Sequence, residues 1–226
     1  MKITYYGHSC FSVEIKDKNL LFDPFITPNQ LASKIDINKI KADYILISHG
    51  HTDHIYDTLE IGKNTDAKII SNYEIVNWLL DKGIKNTHPM NIGGKYNLEF
   101  GTIKYVNAIH SSSMPDGSYG GNPGGFVVQS DEGNFYYTGD TGLTYDMKLI
   151  GEYINLDFAV MPIGNNYTMG VDNAIIASDY INCSRIIGVH YNTFPIITID
   201  KQEATEKFKL AGKELILLDI EETRNI

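Results

Sequence analysis

The stretch LISHGHTDHI, residues 46–55, decides how the chain is read. It places three of the protein's seven histidines and one aspartate (His49, His51, Asp53 and His54) within six residues. Imidazoles packed this closely either repel one another when protonated or hold something positive. Neutral imidazole and carboxylate are the ligands that borderline divalent ions prefer. Gly50 permits tight backbone geometry between the first two histidines, so His49 and His51 can converge on one point while Asp53 and His54 face a second. As ordinary surface the four side chains would have no stabilising partner, and the cluster is read as a metal site.

Working outward, DYILIS (43–48) leads directly into His49 and is a continuous apolar run, as in a strand buried on both faces. Three more apolar runs end the same way. IKYVNAI (103–109) is followed by His110, NFYYTG (134–139) by Asp140, and SRIIGV (184–189) by His190. Taken alone, His110 or His190 is more simply a surface or hydrogen-bonded core residue. Four strands that each end in a metal-competent side chain change that balance, because loops at strand ends converge over a rigid scaffold. Seven such groups exceed the needs of one tetrahedral ion and suit two, with one carboxylate shared.

The remaining pattern is layered α/β, with one domain expected over residues 1–226. Strands are predicted at 2–6, 11–15, 19–23, 67–71, 124–130, 156–162 and 213–218, and helices at 73–82, 172–181 and 200–211. The last helix opens on Asp200 with Glu203 three residues on, a capping box, and stops at Gly212. The glycine- and serine-rich loop 110–125 is read as a flexible wall beside His110 or as a plain connection. Trp78 is expected in the core, and Met169 and Phe194 in either core or pocket. His88, before a proline, is expected in an exposed loop.

The formal charge of −9, without a basic run, argues against nucleic acid as a partner. No apolar stretch approaches the roughly 18 residues that a membrane span requires. The N-terminus alternates like a strand rather than a signal peptide. Cys10 and Cys183 are too few for a disulfide framework and read as reduced, buried thiols, so the expected location is cytoplasmic.

The segment SHGHTDH (48–54) resembles the HxHxDH signature of the metallo-β-lactamase superfamily. YYGHSCF near the start, MNIGG (90–94), GDTGLTYDM (139–147), PIGNNYTMG (162–170) and HYNTFP (190–195) are similar to its small bacterial and archaeal metal-dependent hydrolases, with ascorbate-6-phosphate lactonase a more distant relative. The resemblance implies a four-layer αββα sandwich of two mixed sheets. It implies that His49, His51 and His110 hold one metal, that Asp53, His54 and His190 hold the second, and that Asp140 bridges them. The two divalent ions would be zinc by default, with manganese, iron or nickel as alternatives. The implied activity is hydrolysis of an ester, lactone, amide or phosphoester by a metal-bridging hydroxide, with Asp53 as the base. Two carboxylates do not cancel two divalent ions, so the substrate would be a small anionic or carbonyl-bearing molecule. His8, on a turn between strands, and Asn192 and Thr193, just after His190, are candidate contacts to the site or the substrate. The alternatives are a redox di-iron protein of the same fold and a non-catalytic metal-binding protein. The first is disfavoured by His51, where flavodiiron proteins carry Glu. The asparagines of GNNYTMG depart from the Gly-Asp common in relatives and leave the substrate pocket open.

Overall fold

The computed structural model describes residues 1–226 as two mixed seven-stranded sheets packed face to face. In the first sheet, β1 (Lys2–Gly7), β2 (Cys10–Ile15), β3 (Lys18–Phe22), β4 (Tyr44–Leu46), β5 (Lys68–Asn72) and β6 (Thr87–Met90) lie side by side in chain order. In the second, β7 (Lys95–Leu98), β8 (Gly101–Asn107), β9 (Gly124–Ser130), β10 (Gly133–Tyr137), β11 (Phe158–Pro162), β12 (Arg185–Val189) and β13 (Glu214–Ile216) do the same. The last strand, β14 (Thr223–Asn225), returns to the first sheet beside β1. Helices α1 (Thr52–Ile55), α2 (Thr58–Thr65), α3 (Tyr73–Asp81), α4 (Asp146–Tyr153), α5 (Val171–Tyr180) and α6 (Lys201–Leu210) complete the chain. None is long and apolar enough to cross a membrane.

Burial explains the layers. Between the sheets lies a core of aromatic rings, among them Phe11, Phe22, Phe126, Phe135 and Phe158, with Phe11 stacked on Phe22 at 4.5 Å. The outer face of the first sheet buries Leu21, Ile45 and Ile69 against Ile61 of α2 and Ile75 and Leu79 of α3. The outer face of the second buries Val127, Ala159 and Ile186 against Met147 of α4, Ala174 of α5 and Phe208 of α6. Central strands covered on both faces carry apolar side chains on both faces, which is why they read as continuous runs.

Strand direction places the site. Each sheet begins with antiparallel pairs and continues with parallel ones: β3 through β6 in the first, β10 through β13 in the second. Two reversals restore direction, so β1, β3 and β4 run the same way, as do β8, β10 and β12. The C-terminal ends of the two sets meet at one edge of the sandwich. There the His190 amide donates to the His8 carbonyl at 2.8 Å and the Gly124 amide to the Ser48 carbonyl at 3.1 Å.

Three strands and two longer helices differ from the sequence expectation, each for a local reason. β6 (THPM) carries Pro89 at a sheet edge, β7 is a four-residue edge strand, and β14 is three exposed residues, so none shows an apolar run. α2 and α4 each contain a glycine that lowers helix propensity. Gly151 is a packing requirement, since a Cβ there would sit 2.5 Å from the Tyr180 carbonyl oxygen, whereas one on Gly62 would press only on the end of the Ile69 side chain, with Cδ1 at 2.9 Å. His88 lies on β6 rather than in an exposed loop, half-buried with its ring stacked on Tyr96 at 3.6 Å. The expected runs 43–48, 103–109 and 134–139 each stop pairing two residues early. Side chains and turns take over their amides, as where Ile109 N–H donates to Thr141 Oγ1 at 2.9 Å.

Candidate metal centre

Six C-terminal strand ends deliver the polar groups. β1 delivers His8, β3 Asp23, β4 His49, β8 His110, β10 Asp140 and β12 His190. The HGHTDH segment supplies the rest. His51 is extended and starts α1, so the single helical turn carries Asp53 and His54 away from the direction of His49 and His51. Three strand-end residues, His8, Asp23 and His190, adopt left-handed φ values of 55°, 41° and 55°. Non-glycine residues seldom tolerate that conformation, and its appearance at converging loop ends marks positions the surroundings have fixed.

The side chains form two facing groups. The ligand atoms of His49, His51 and His110 lie within 4.8 Å of one another, and so do those of His8, Asp53, His54 and His190. Asp140 stands between the groups. Its Oδ2 is 2.9 Å from His190 Nε2, 3.2 Å from His54 Nε2 and 3.8 Å from His110 Nε2. His49 Nε2 and His51 Nδ1 are 2.9 Å apart. Two atoms of these residues, His54 Nε2 and Asp140 Oδ1, are buried without a hydrogen-bond partner, as is His190 Nδ1. Buried polar atoms are seldom left unpaired. A divalent cation bound by His54 and Asp140 gives the first two a partner, so the donor set fits metal ions.

Behind His54 lies a residue that sequence reasoning missed. Asp23 is fully buried. Its Oδ2 takes His54 Nδ1 at 2.7 Å and the Tyr137 hydroxyl at 2.6 Å. Its Oδ1 accepts the Ser48 amide at 2.7 Å, and the Ser48 hydroxyl also donates to the carboxyl. A ligating histidine commonly gives its second nitrogen to such an oxygen, which fixes tautomer and ring plane. The available signal was NLLFDPF (19–25), an acidic residue closing an apolar strand before a proline.

Electrostatics divides the imidazoles. Burial, with the neighbouring His54 charge, pushes His49 well below its ordinary pKa. Burial and His190 push His8 down to about 4, and burial also lowers His51 and His110. For His54 and His190, burial is outweighed by Asp140, joined at His54 by Asp23 and Asp53. His54 is held well above its usual range and His190 rises to about 9. Burial opposes charge on Asp140 and Asp53 too, but His190 and His54 beside the first, and His54 beside the second, hold both well below the carboxylate range.

The structure brings His49, His51, Asp53, His54, His110, Asp140 and His190 together with His8. His8 bonds Asp53 through Nε2 at 3.1 Å and Thr193 through Nδ1 at 2.9 Å. Asn192 behaves differently: its side-chain oxygen accepts the Ile199 amide at 2.8 Å and closes its own turn. Met169 is wholly buried in the core, whereas Phe194 is partly exposed with its ring 5.4 Å from His8. Trp78 is part-buried at the rim of a core cluster and donates to Asp116 at 2.6 Å. That bond helps to hold the 110–125 loop, as do buried Met114 and a bond from the Gly50 amide to Ser112 at 3.1 Å. These contacts tie the loop to α3 and to Gly50, beside the first histidine group.

Comparisons with known proteins show the family and the fold. Residues 2–190 match the β-lactamase superfamily domain. A UPF0173 metal-dependent hydrolase of Christiangramia forsetii is 57% identical over 99% of both chains, and one of Bacillus thuringiensis is 41% identical over 95% of this chain and 96% of its own. Among solved structures, a metallo hydrolase of the archaeon Ignicoccus hospitalis superposes with a TM-score of 0.89 at 36% identity, covering 100% of this chain and 98% of its own. The chain belongs to the UPF0173 family of metal-dependent hydrolases, within the β-lactamase superfamily.

Proposed function

We propose that the protein hydrolyses a small anionic or carbonyl-bearing molecule at a two-metal centre, in the cytoplasm. His49, His51 and His110 would hold one ion, and Asp53, His54 and His190 the other, with Asp140 shared. The observation that carries this reading is the position of Asp140, whose Oδ2 contacts His110 of the first group and His54 and His190 of the second. When bound, a pair of divalent ions supplies an acidified water and Lewis-acid charge to the scissile bond. The chain supplies the rest. Asp53, the most exposed carboxylate of the centre at 29%, is placed to orient a nucleophilic water and take its proton. His54 is held in one tautomer by Asp23, and the Ser48 hydroxyl touches His49 Nδ1 at 2.9 Å. Zinc is the default for this donor set, with manganese, iron or nickel admissible.

The test is a hydrolysis panel of activated esters, lactones, amides and phosphodiesters, run on protein of measured metal content. Two equivalents of metal and turnover of at least one class are expected. One equivalent or none would end the two-metal reading, and no turnover on the whole panel would favour a binding protein.

Metal uptake should depend on pH in a defined direction. His54 and His190 must lose their protons to ligate, so protons are released on binding. Apparent affinity is expected to rise more than about tenfold from pH 6 to 8. Titration calorimetry in buffers of different ionisation enthalpy measures the released protons directly, and zero release would contradict the assignment.

The ion-free protein should be most stable near the ordinary histidine pKa of about 6.5. Stability from the raised His54 and His190 is complete below that pH and is lost as pH climbs through the folded values, about 9 for His190. On the acid side the unfolded chain takes up protons that His8, His49, His51 and His110 refuse when folded, so stability falls as pH drops below 6.5. Melting curves of chelator-treated protein from pH 4 to 10 read this maximum. A flat profile would show that the imidazoles do not interact as described.

A further inference from the structure

We infer that His8, itself anchored by Thr193, is a positioning residue that fixes the carboxylate of Asp53 at the second ion position. The inference rests on the reading of Asp53 as a ligand there. His8 has no exposed side-chain surface, and both of its ring nitrogens are engaged. An ionised carboxylate only accepts, so His8 Nε2–H donates to Asp53 Oδ2 across 3.1 Å. The opposite nitrogen meets Thr193 Oγ1 at 2.9 Å, while the other acceptor open to that hydroxyl, the Tyr191 carbonyl, is at 3.5 Å.

The oxygen that His8 holds is the one turned to the site. Asp53 Oδ2 lies 3.8 Å from His190 Nε2 and 4.0 Å from His54 Nε2. Asp53 sits on a single helical turn and is less buried than its partners, so its own element does little to fix its rotamer. His8 is well placed to do so. Its ring is packed by Phe25 at 5.5 Å, Phe194 at 5.4 Å and His190 at 4.2 Å. Its left-handed backbone offers a carbonyl to the His190 amide at 2.8 Å and the Tyr5 hydroxyl at 3.0 Å. One residue thus ties the backbone of one ligand to the side chain of another, across the two sheets.

The test measures metal retention by elemental analysis after dialysis of wild-type, His8→Ala, His8→Gln and Thr193→Val proteins against a graded series of chelator concentrations. His8→Ala is expected to give up one ion at about 10- to 100-fold lower chelator than wild type, the usual effect of removing a partner of a metal ligand. Thr193→Val, near-isosteric and away from the strained backbone of residue 8, should shift in the same direction by less. His8→Gln should recover most of the loss, because its amide nitrogen can donate to Asp53 from near the place of the imidazole Nε2. Retention by His8→Ala equal to wild type, at whatever stoichiometry, would reduce His8 to a turn residue and overturn the inference. Loss by His8→Gln as ready as by His8→Ala would make His8 a ligand and overturn it too. Wild-type protein holding fewer than two ions would instead overturn the two-metal reading, and the His8 comparison would still decide this one on the ion that Asp53 holds.

Discussion

Asp53→Ala is expected to lower kcat by about a thousandfold or more, the range for losing a general base, while leaving the fold intact. Two observations set these expectations. The carboxylate reaches the centre from a short helical turn at the rim, is 29% exposed, and has His8 as its close hydrogen-bond partner. Removing it therefore leaves no large cavity, and it opens the buried His8 Nε2 to the solvent that the carboxylate itself met. The melting temperature should move by only a few degrees. Metal content should fall as well, because the same oxygen faces His54 and His190. Asp53→Asn separates the two roles: the amide keeps the shape and an oxygen donor but cannot take a proton at neutral pH. Supplying excess metal to Asp53→Asn should refill the site without restoring rate. Full activity in metal-saturated Asp53→Asn would mean that the proton goes elsewhere, and Asp140 or a solvent path would have to be considered.

Much of this site could be read before the fold was known, because its densest part is local. HGHTDH needs no tertiary contact to declare itself, and the strand-end rule then drew in His110, Asp140 and His190. The convergence of these strand ends has a topological reason: two successive reversals, from β1 to β3 and from β8 to β10, followed by parallel strands, aim β4, β8, β10 and β12 at one edge. The supporting residues were less legible. Asp23 is one of 28 acidic residues, and nothing in its neighbourhood says that Ser48, His54 and Tyr137 will surround it. Thr193 could be placed near a ligand but not assigned to His8, 185 residues earlier. Asn192 shows the converse. Adjacency to His190 suggested a contact with the site, yet a left-handed residue with a side-chain amide is also a good turn former, and it serves Ile199. At fold level the central strands were visible because burial on both faces leaves continuous apolar runs, whereas the edge strands β6, β7 and β14 carry no such run.

Asp23→Ala should be the most destabilising single change near the centre. The residue has no exposed surface and sits where four donors converge: the Ser48 amide and hydroxyl, the Tyr137 hydroxyl and His54 Nδ1. Tyr137 and Ser48 are fully buried too, so water cannot readily replace the lost oxygens. Breaking a buried charged network from one side costs about 3–5 kcal/mol. In a chain of this size each kcal/mol moves the melting temperature by roughly 2–4 °C, so a fall of about 10 °C is expected. The effect should reach the metal, because His54 loses the partner that sets its ring plane, and affinity should drop about 10- to 100-fold. Tyr137→Phe is the informative contrast. It removes one donor and leaves Asp23 its other three, so it should cost no more than about 1.5 kcal/mol and leave metal binding nearly unchanged. Thermal melts with and without chelator, read beside metal content, separate the two contributions. If the chelator-treated Asp23→Ala protein melts like wild type, the convergence on Asp23 does not hold the sandwich edge together. If it melts lower but retains both ions at wild-type affinity, His54 is oriented by its packing rather than by Asp23.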